Sequence, residues 1–268
     1  MGSWTSYRQA ATSGIALTVP VRLNAPLGFG VAGSIGTWLA LLFLSLSLAF
    51  RWSAAGRPPW GNLWEYTIAL GWGVTLFTAL FELQFRQRNV SAFVMPVAVA
   101  LMAVAVAFFP PDIRPLVPAL QSNRILAIHV GTMMLAYSAL SVSFGASVLY
   151  LLQVGESGKR FSQLPEPDLL EEIGYRSVLA GFPLLALGIA LGAYWASSAW
   201  GRYWGWDPKE TSALLTWFIY AGYLHARNLR GWEGKRAAWL LVGGFAAVLF
   251  TYFAVNFWIK GLHSYAGV

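Results

Sequence analysis

Residues 200–211 read Trp-Gly-Arg-Tyr-Trp-Gly-Trp-Asp-Pro-Lys-Glu-Thr and hold more potential chemistry than any other stretch of this 268-residue chain. Trp200, Tyr203, Trp204 and Trp206 offer broad ring faces, and Gly201 and Gly205 let backbone come close to a flat object. Arg202 and Lys209 are cations suited to carboxylates at the rim of such an object. An aromatic belt at a membrane surface has similar composition. Among ligands, a flat apolar molecule with acidic substituents fits the cluster, and haem has that form.

The chain has three histidines, His129, His225 and His263, and no cysteine. Imidazole is a common axial ligand of haem iron, and two neutral imidazoles make a six-coordinate, low-spin site. Any one of the three can also be a plain residue at a span end, although ionisable groups inside a membrane are costly enough to count as site candidates. The absence of cysteine excludes a disulfide framework, a thiolate metal centre and a redox dithiol within the chain. Thiol chemistry at this site therefore needs a partner's thiols.

The elements that must position these groups are transmembrane helices. Hydrophobic residues make up 57% of the chain, charged ones 11%, and the mean hydropathy is +0.56. Apolar runs at about 31–50, 63–83, 91–109, 125–152, 176–196, 209–228 and 237–257 approach or reach the roughly 20 residues that cross a bilayer. Helices are expected, because lipid cannot satisfy an open strand edge. The fold class is thus an all-α integral membrane protein, a polytopic bundle of about seven transmembrane helices with an external tryptophan-rich segment, 197–211. Residues 1–30 read as a cytoplasmic or interfacial N-terminal segment and 31–268 as one transmembrane domain. The longest internal linker is expected at 153–175, and no small-residue cleavage site marks a removable leader.

The net charge of +7 is not a nucleic-acid signal, since the cations lie in short loops between spans. With the N-terminus in the cytoplasm, 11 of the 18 cations fall on the inner side, among them Arg227, Arg230, Lys235 and Arg236. Span parity then puts three distant elements on the outer face. His129 begins the fourth span, the aromatic segment joins the fifth and sixth, and His263 follows the seventh. His225 lies near the inner end of the sixth and needs a second ligand from elsewhere.

Two acidic positions have structural readings. Asp207 is an expected N-cap with Pro208 as first helical residue and Glu210 as the reciprocal capping-box acid, which would fix the height of Trp204 and Trp206. Glu65, at the outer start of the second span, reads as a solvated boundary residue.

Taken together, these residues resemble the tryptophan-rich haem-handling proteins of cytochrome c maturation, in particular the CcsA (ResC) family. The resemblance rests on Trp200–Thr211 and its continuation Thr216-Trp-Phe-Ile-Tyr-Ala-Gly-Tyr-Leu-His-Ala-Arg227. Asn62-Leu-Trp-Glu65, Leu116–Asn123, Ile128-His-Val130 and Gly261-Leu-His-Ser-Tyr265 follow the family's order. It implies haem b, held non-covalently in transit, with His129 and His263 as external axial ligands and His225 as the intramembrane one. It also implies an activity: with a CcsB (ResB)-type membrane subunit, attachment of haem through thioether bonds to the CXXCH segment of an apocytochrome c kept reduced by a thiol-reducing system. The chain would then be a haem lyase subunit of a bacterial plasma membrane or thylakoid, with the aromatic loop and C-terminus outside. Relatives often have eight spans, and the difference would fall in residues 1–30. A di-haem electron carrier and a transporter of a non-haem amphipathic substrate are the competing readings of the same features.

Overall fold

A computed structural model describes residues 27–85, 88, 91–116, 120–121, 124–155, 158–161, 164–254, 259 and 261–263. Seven α-helices follow one another: α1 Leu27–Ala55, α2 Leu63–Phe85, α3 Ser91–Phe108, α4 Arg124–Gln153, α5 Pro167–Trp200, α6 Pro208–Arg230 and α7 Lys235–Leu249. A single π-helical turn, Phe250–Ala254, continues α7. Between α4 and α5, Val154–Gly155 and Gly158–Lys159 pair as a minimal antiparallel ribbon, β1 and β2. The N-terminal segment through residue 26, Lys260 and parts of the 116–123 and 261–265 motifs lie outside the described residues.

All seven apolar runs form helices over their described residues. Five of the helices, α1, α2, α4, α5 and α7 with its π turn, are long and apolar enough to cross a membrane. The apolar part of α3 is shorter, Val94–Phe108. In α6, 23 residues long, Lys209 and Glu210 at one end and Arg227 and Arg230 at the other dilute its apolar middle. The bundle is nonetheless an integral membrane protein, since lipid is the only solvent suited to its exposed Leu, Phe, Val and Trp side chains.

One expected boundary moves. The linker expected at 153–175 is helical from Pro167 onward, so α5 runs 34 residues. Its first turns hold to helix rules: proline at the start, Asp168 in the first turn, and Arg176 bound to Glu172 four residues earlier at 2.6 Å. Leu170, Ile173 and Ser177 carry the buried face through this charged stretch.

Helices α4 and α5 form the most extensive packed pair and the spine of the bundle, with α2, α3 and α7 against it. Leu140, Val142, Leu185 and Tyr220 are wholly buried in the shared core. The alternating path brings the end of α1, the starts of α2, α4 and α6, and the ends of α5 and α7 to one face, here called the loop face. At the opposite face, Glu171 of α5 binds Arg227 of α6 at 2.5 Å and accepts the Gly234 N–H ahead of α7 at 3.1 Å.

Glu65 corrects its expected solvated role: it is 0% exposed. Arg51 Nε and Arg57 Nη1 each donate to its carboxylate at 2.8 Å, and the Gly61 N–H donates at 2.6 Å. Asn62 caps the start of α2 by accepting the Glu65 N–H at 2.8 Å. Arg51 also donates to the Asp112 carbonyl at 3.2 Å, as does Asn62 at 3.1 Å. One buried carboxylate thus ties α1 to α2 at the loop face, and it accounts for two of the cations expected on the outer side.

Candidate functional site

A cavity, its mouth at the loop face, opens between α2, α4, α5, the start of α6 and the residues after α7. His129, His263, Trp200, Trp204 and Lys209 all line it. The elements brought together by span parity therefore share one chamber.

His129 lies in the second turn of α4, facing α5. Its Nδ1 is 2.7 Å from the Gly188 carbonyl. A carbonyl only accepts, so the hydrogen sits on Nδ1 and Nε2 keeps the ring's lone pair. Gly192, one turn beyond Gly188, supplies room for the ring: a Cβ there would stand 2.6 Å from His129 Cε1 and 2.9 Å from Nδ1. Helix periodicity thus provides an acceptor and a seat on the same face of α5.

His263 is fixed by a different device, built on the start of α6. Asp207 is its N-cap, with the expected capping box complete: its carboxylate accepts the Lys209 N–H at 3.2 Å, and Glu210 returns the Asp207 N–H at 3.1 Å. The same carboxylate takes the Leu262 N–H at 2.5 Å and His263 Nδ1 at 2.7 Å. Burial works against charge on Asp207, but the bonds from His263, Leu262 and Lys209 prevail and hold the carboxyl below its usual range. Burial also pushes the His263 imidazole below its ordinary value, against the pull of Asp207. The pair is therefore a carboxylate and a neutral imidazole, with Nδ1–H donating and the lone pair on Nε2. This carboxylate–histidine arrangement is how proteins fix a metal-ligating ring.

Aromatic walls close the chamber beside His263. Trp200 meets the His263 ring edge-on, centroids 4.9 Å apart. Trp195, absent from the expected site, is 2% exposed, lines the cavity and meets Trp200 at 4.8 Å in a T-shaped contact. Gly201 ends α5 in the left-handed conformation, φ 72°, and turns the chain into the aromatic loop. Below the histidines, Tyr66, Tyr137 and Tyr252 line the floor, and Tyr252 shares a 2.9 Å hydrogen bond with Thr67. The π turn carries Tyr252 to this position, as such turns often do at functional sites.

The aromatic segment splits into two faces. Trp204 and Lys209 face the cavity, whereas Arg202, Tyr203 and Trp206 are exposed and do not line it, Tyr203 at 62% and Trp206 at 69%. Trp206 is the one non-glycine residue with positive φ among those described, 56°. Glu210 Oε2 accepts the N–H groups on either side of it, from Gly205 at 2.8 Å and Asp207 at 3.1 Å, and so holds the strained turn. Trp206 then stands edge-on to Trp204 at 5.7 Å, backing the wall from outside. His225 is exposed on α6 toward the opposite face, remote from the cavity. Among the described residues, no group of three or more His, Asp or Glu side chains could hold a bare metal ion.

Known proteins carry the same sequence pattern. Residues 60–263 match the model of a family described as cytochrome C assembly protein. The chain is similar to the cytochrome c biogenesis protein CcsA of Guillardia theta, 38% identical over 89% of this chain and 85% of that one. It is likewise similar to the CcsA proteins of Prochlorococcus marinus, 36% identical over 98% and 96% of the two chains, and Synechococcus elongatus, 38% over 89% and 88%.

Proposed function

The chain belongs to the cytochrome c assembly protein family, and from that premise we propose that it presents haem to apocytochrome c as the membrane subunit of a haem lyase. The observation that carries this reading is the matched state of His129 and His263. Both line one cavity, and in both a bound Nδ1–H leaves Nε2 as the nitrogen with a lone pair. Haem b is the substrate, held by these two nitrogens, by the faces of Trp195, Trp200 and Trp204, and at a propionate by Lys209.

The reaction needs no nucleophile from this chain, in keeping with its lack of cysteine. Each apocytochrome thiol adds across a haem vinyl group. Sulfur bonds to the carbon next to the ring, the thiol hydrogen goes to the terminal carbon, and nothing leaves. The protein's part is to fix haem with its vinyl edge reachable, so that attachment becomes a matter of proximity. The loop face is external in this reading, and the thiols are kept reduced by a separate system. A CcsB (ResB)-type subunit completes the complex. His225 on the exposed side of α6 suits an intramembrane ligand whose partner comes from that subunit, since an imidazole turned to lipid is costly.

The test is transfer of haem to a reduced Cys-x-x-Cys-His peptide by the purified chain with its partner, read as thioether-linked haem after denaturation. His129→Ala is expected to abolish transfer. Transfer at an unchanged rate in that variant would remove the cavity from the reaction.

A further inference from the structure

The cavity holds its two histidines by unlike means, and the difference assigns them unlike roles. Resting on the haem reading above, we infer that His129 is the ligand that stays on the iron. His263, held by Asp207, is the one replaced by the histidine of the incoming Cys-x-x-Cys-His segment.

His129 belongs to the α4–α5 spine. Its Nδ1 is bound to Gly188 on the partner helix at 2.7 Å, and its ring fills the space over Gly192. Withdrawal of this ring breaks that bond and empties a seat between the two most extensively packed helices of the bundle. His263 lies beyond α7 and the π turn, on no helix. Two donors of its segment, the Leu262 N–H and His263 Nδ1–H, land on one carboxylate, Asp207.

Departure of His263 also leaves α6 whole. Asp207 would still accept the Lys209 N–H, and the Glu210 half of the capping box does not involve the histidine. The segment can therefore leave the cavity without uncapping the helix that carries Lys209 and Glu210. In the exchange one iron–nitrogen bond breaks and another forms, a neutral imidazole replacing a neutral imidazole, with no electron and no net proton moved. Asp207 is a positioning residue in this step. Its charge strengthens His263 as a ligand while the segment is seated, and so sets how long the histidine stays.

Asp207→Asn removes the charge behind His263 while keeping a helix cap, because asparagine caps a helix as well as aspartate does. The experiment uses the chain with its partner in detergent, loaded with haem and reduced by dithionite, and follows the rate at which carbon monoxide replaces the histidine. Asp207→Asn is expected to speed replacement by about 10-fold to 100-fold, the usual reach of a carboxylate behind a metal-bound histidine. In parallel, His263→Gly should keep its haem in a five-coordinate, high-spin form that returns to low spin with added imidazole, whereas His129→Gly should lose it. An unchanged rate in Asp207→Asn, equal loss of haem from both glycine variants, or retention only in His129→Gly would overturn the assignment. A haem spectrum indifferent to both histidines would instead bring down the underlying haem reading, and the assignment with it.

Discussion

Gly192→Ala is expected to weaken the proposed haem binding strongly while leaving the protein folded. The added Cβ would lie 2.6 Å from Cε1 of His129 and 2.9 Å from its Nδ1. That is closer than carbon and nitrogen atoms pack, and the obstacle is a ring whose Nδ1 is already bound to the Gly188 carbonyl. The imidazole must turn or retreat, which moves Nε2 off the line to the iron. Disturbing the setting of a metal-bound histidine typically costs about 10-fold to 100-fold in affinity, and a loss of haem affinity on that scale is expected. Gly243→Ala serves as the control, because a Cβ there meets nothing within 4 Å. The check is a haem titration of both variants beside the unaltered chain. Equal affinity in all three would show that His129 is not held as described.

Glu65→Ala is expected to cost the most stability of any single substitution at the loop face. The carboxylate is fully buried, and the side chains of Arg51 and Arg57 are only 14% and 17% exposed. Removing it leaves the Gly61 N–H without its acceptor and two guanidinium groups without a counter-charge, each keeping only a backbone carbonyl at 3.2 Å. Breaking a buried pair from one side costs about 3–5 kcal/mol, and the residual exposure of the arginines points to about 3 kcal/mol. Glu65→Gln, which keeps an acceptor oxygen in place, should lose less. Thermal unfolding in detergent reads both. A change within about 0.5 kcal/mol for Glu65→Ala, typical of a surface site, would contradict the role given to this anchor.

What was legible in the sequence, and what was not, divides by the kind of signal. Seven apolar runs became seven helices because hydrophobic length is a composition property that survives without knowledge of neighbours. Parity did the rest: once spans alternate, His129, Trp200–Thr211 and His263 must reach one face. The capping box at Asp207 and Glu210 was also readable, being local and fixed by spacing. Trp195 was not, since a tryptophan near the end of an apolar helix looks the same whether it meets lipid or a cavity. The carboxylate of Glu65 was misjudged for a related reason. Its partners, Arg51 and Arg57, lie 14 and 8 residues away across the α1–α2 turn, and only the folded turn shows that they converge. The second task of Asp207, holding His263 from 56 residues away, had no local trace. The division of the aromatic loop also escaped, because a loop has no period from which to predict which rings face inward.

Haem held between His129 and His263 is the centre of this account, and an absorption spectrum tests it most directly. The chain, purified in detergent with its partner after expression with ample haem, is measured oxidised and then dithionite-reduced, alongside His129→Ala, His263→Ala and His225→Ala. A low-spin haem b spectrum that diminishes in each of the first two variants, with its cavity component retained in the third, is the predicted result. A full low-spin spectrum in both His129→Ala and His263→Ala would contradict it.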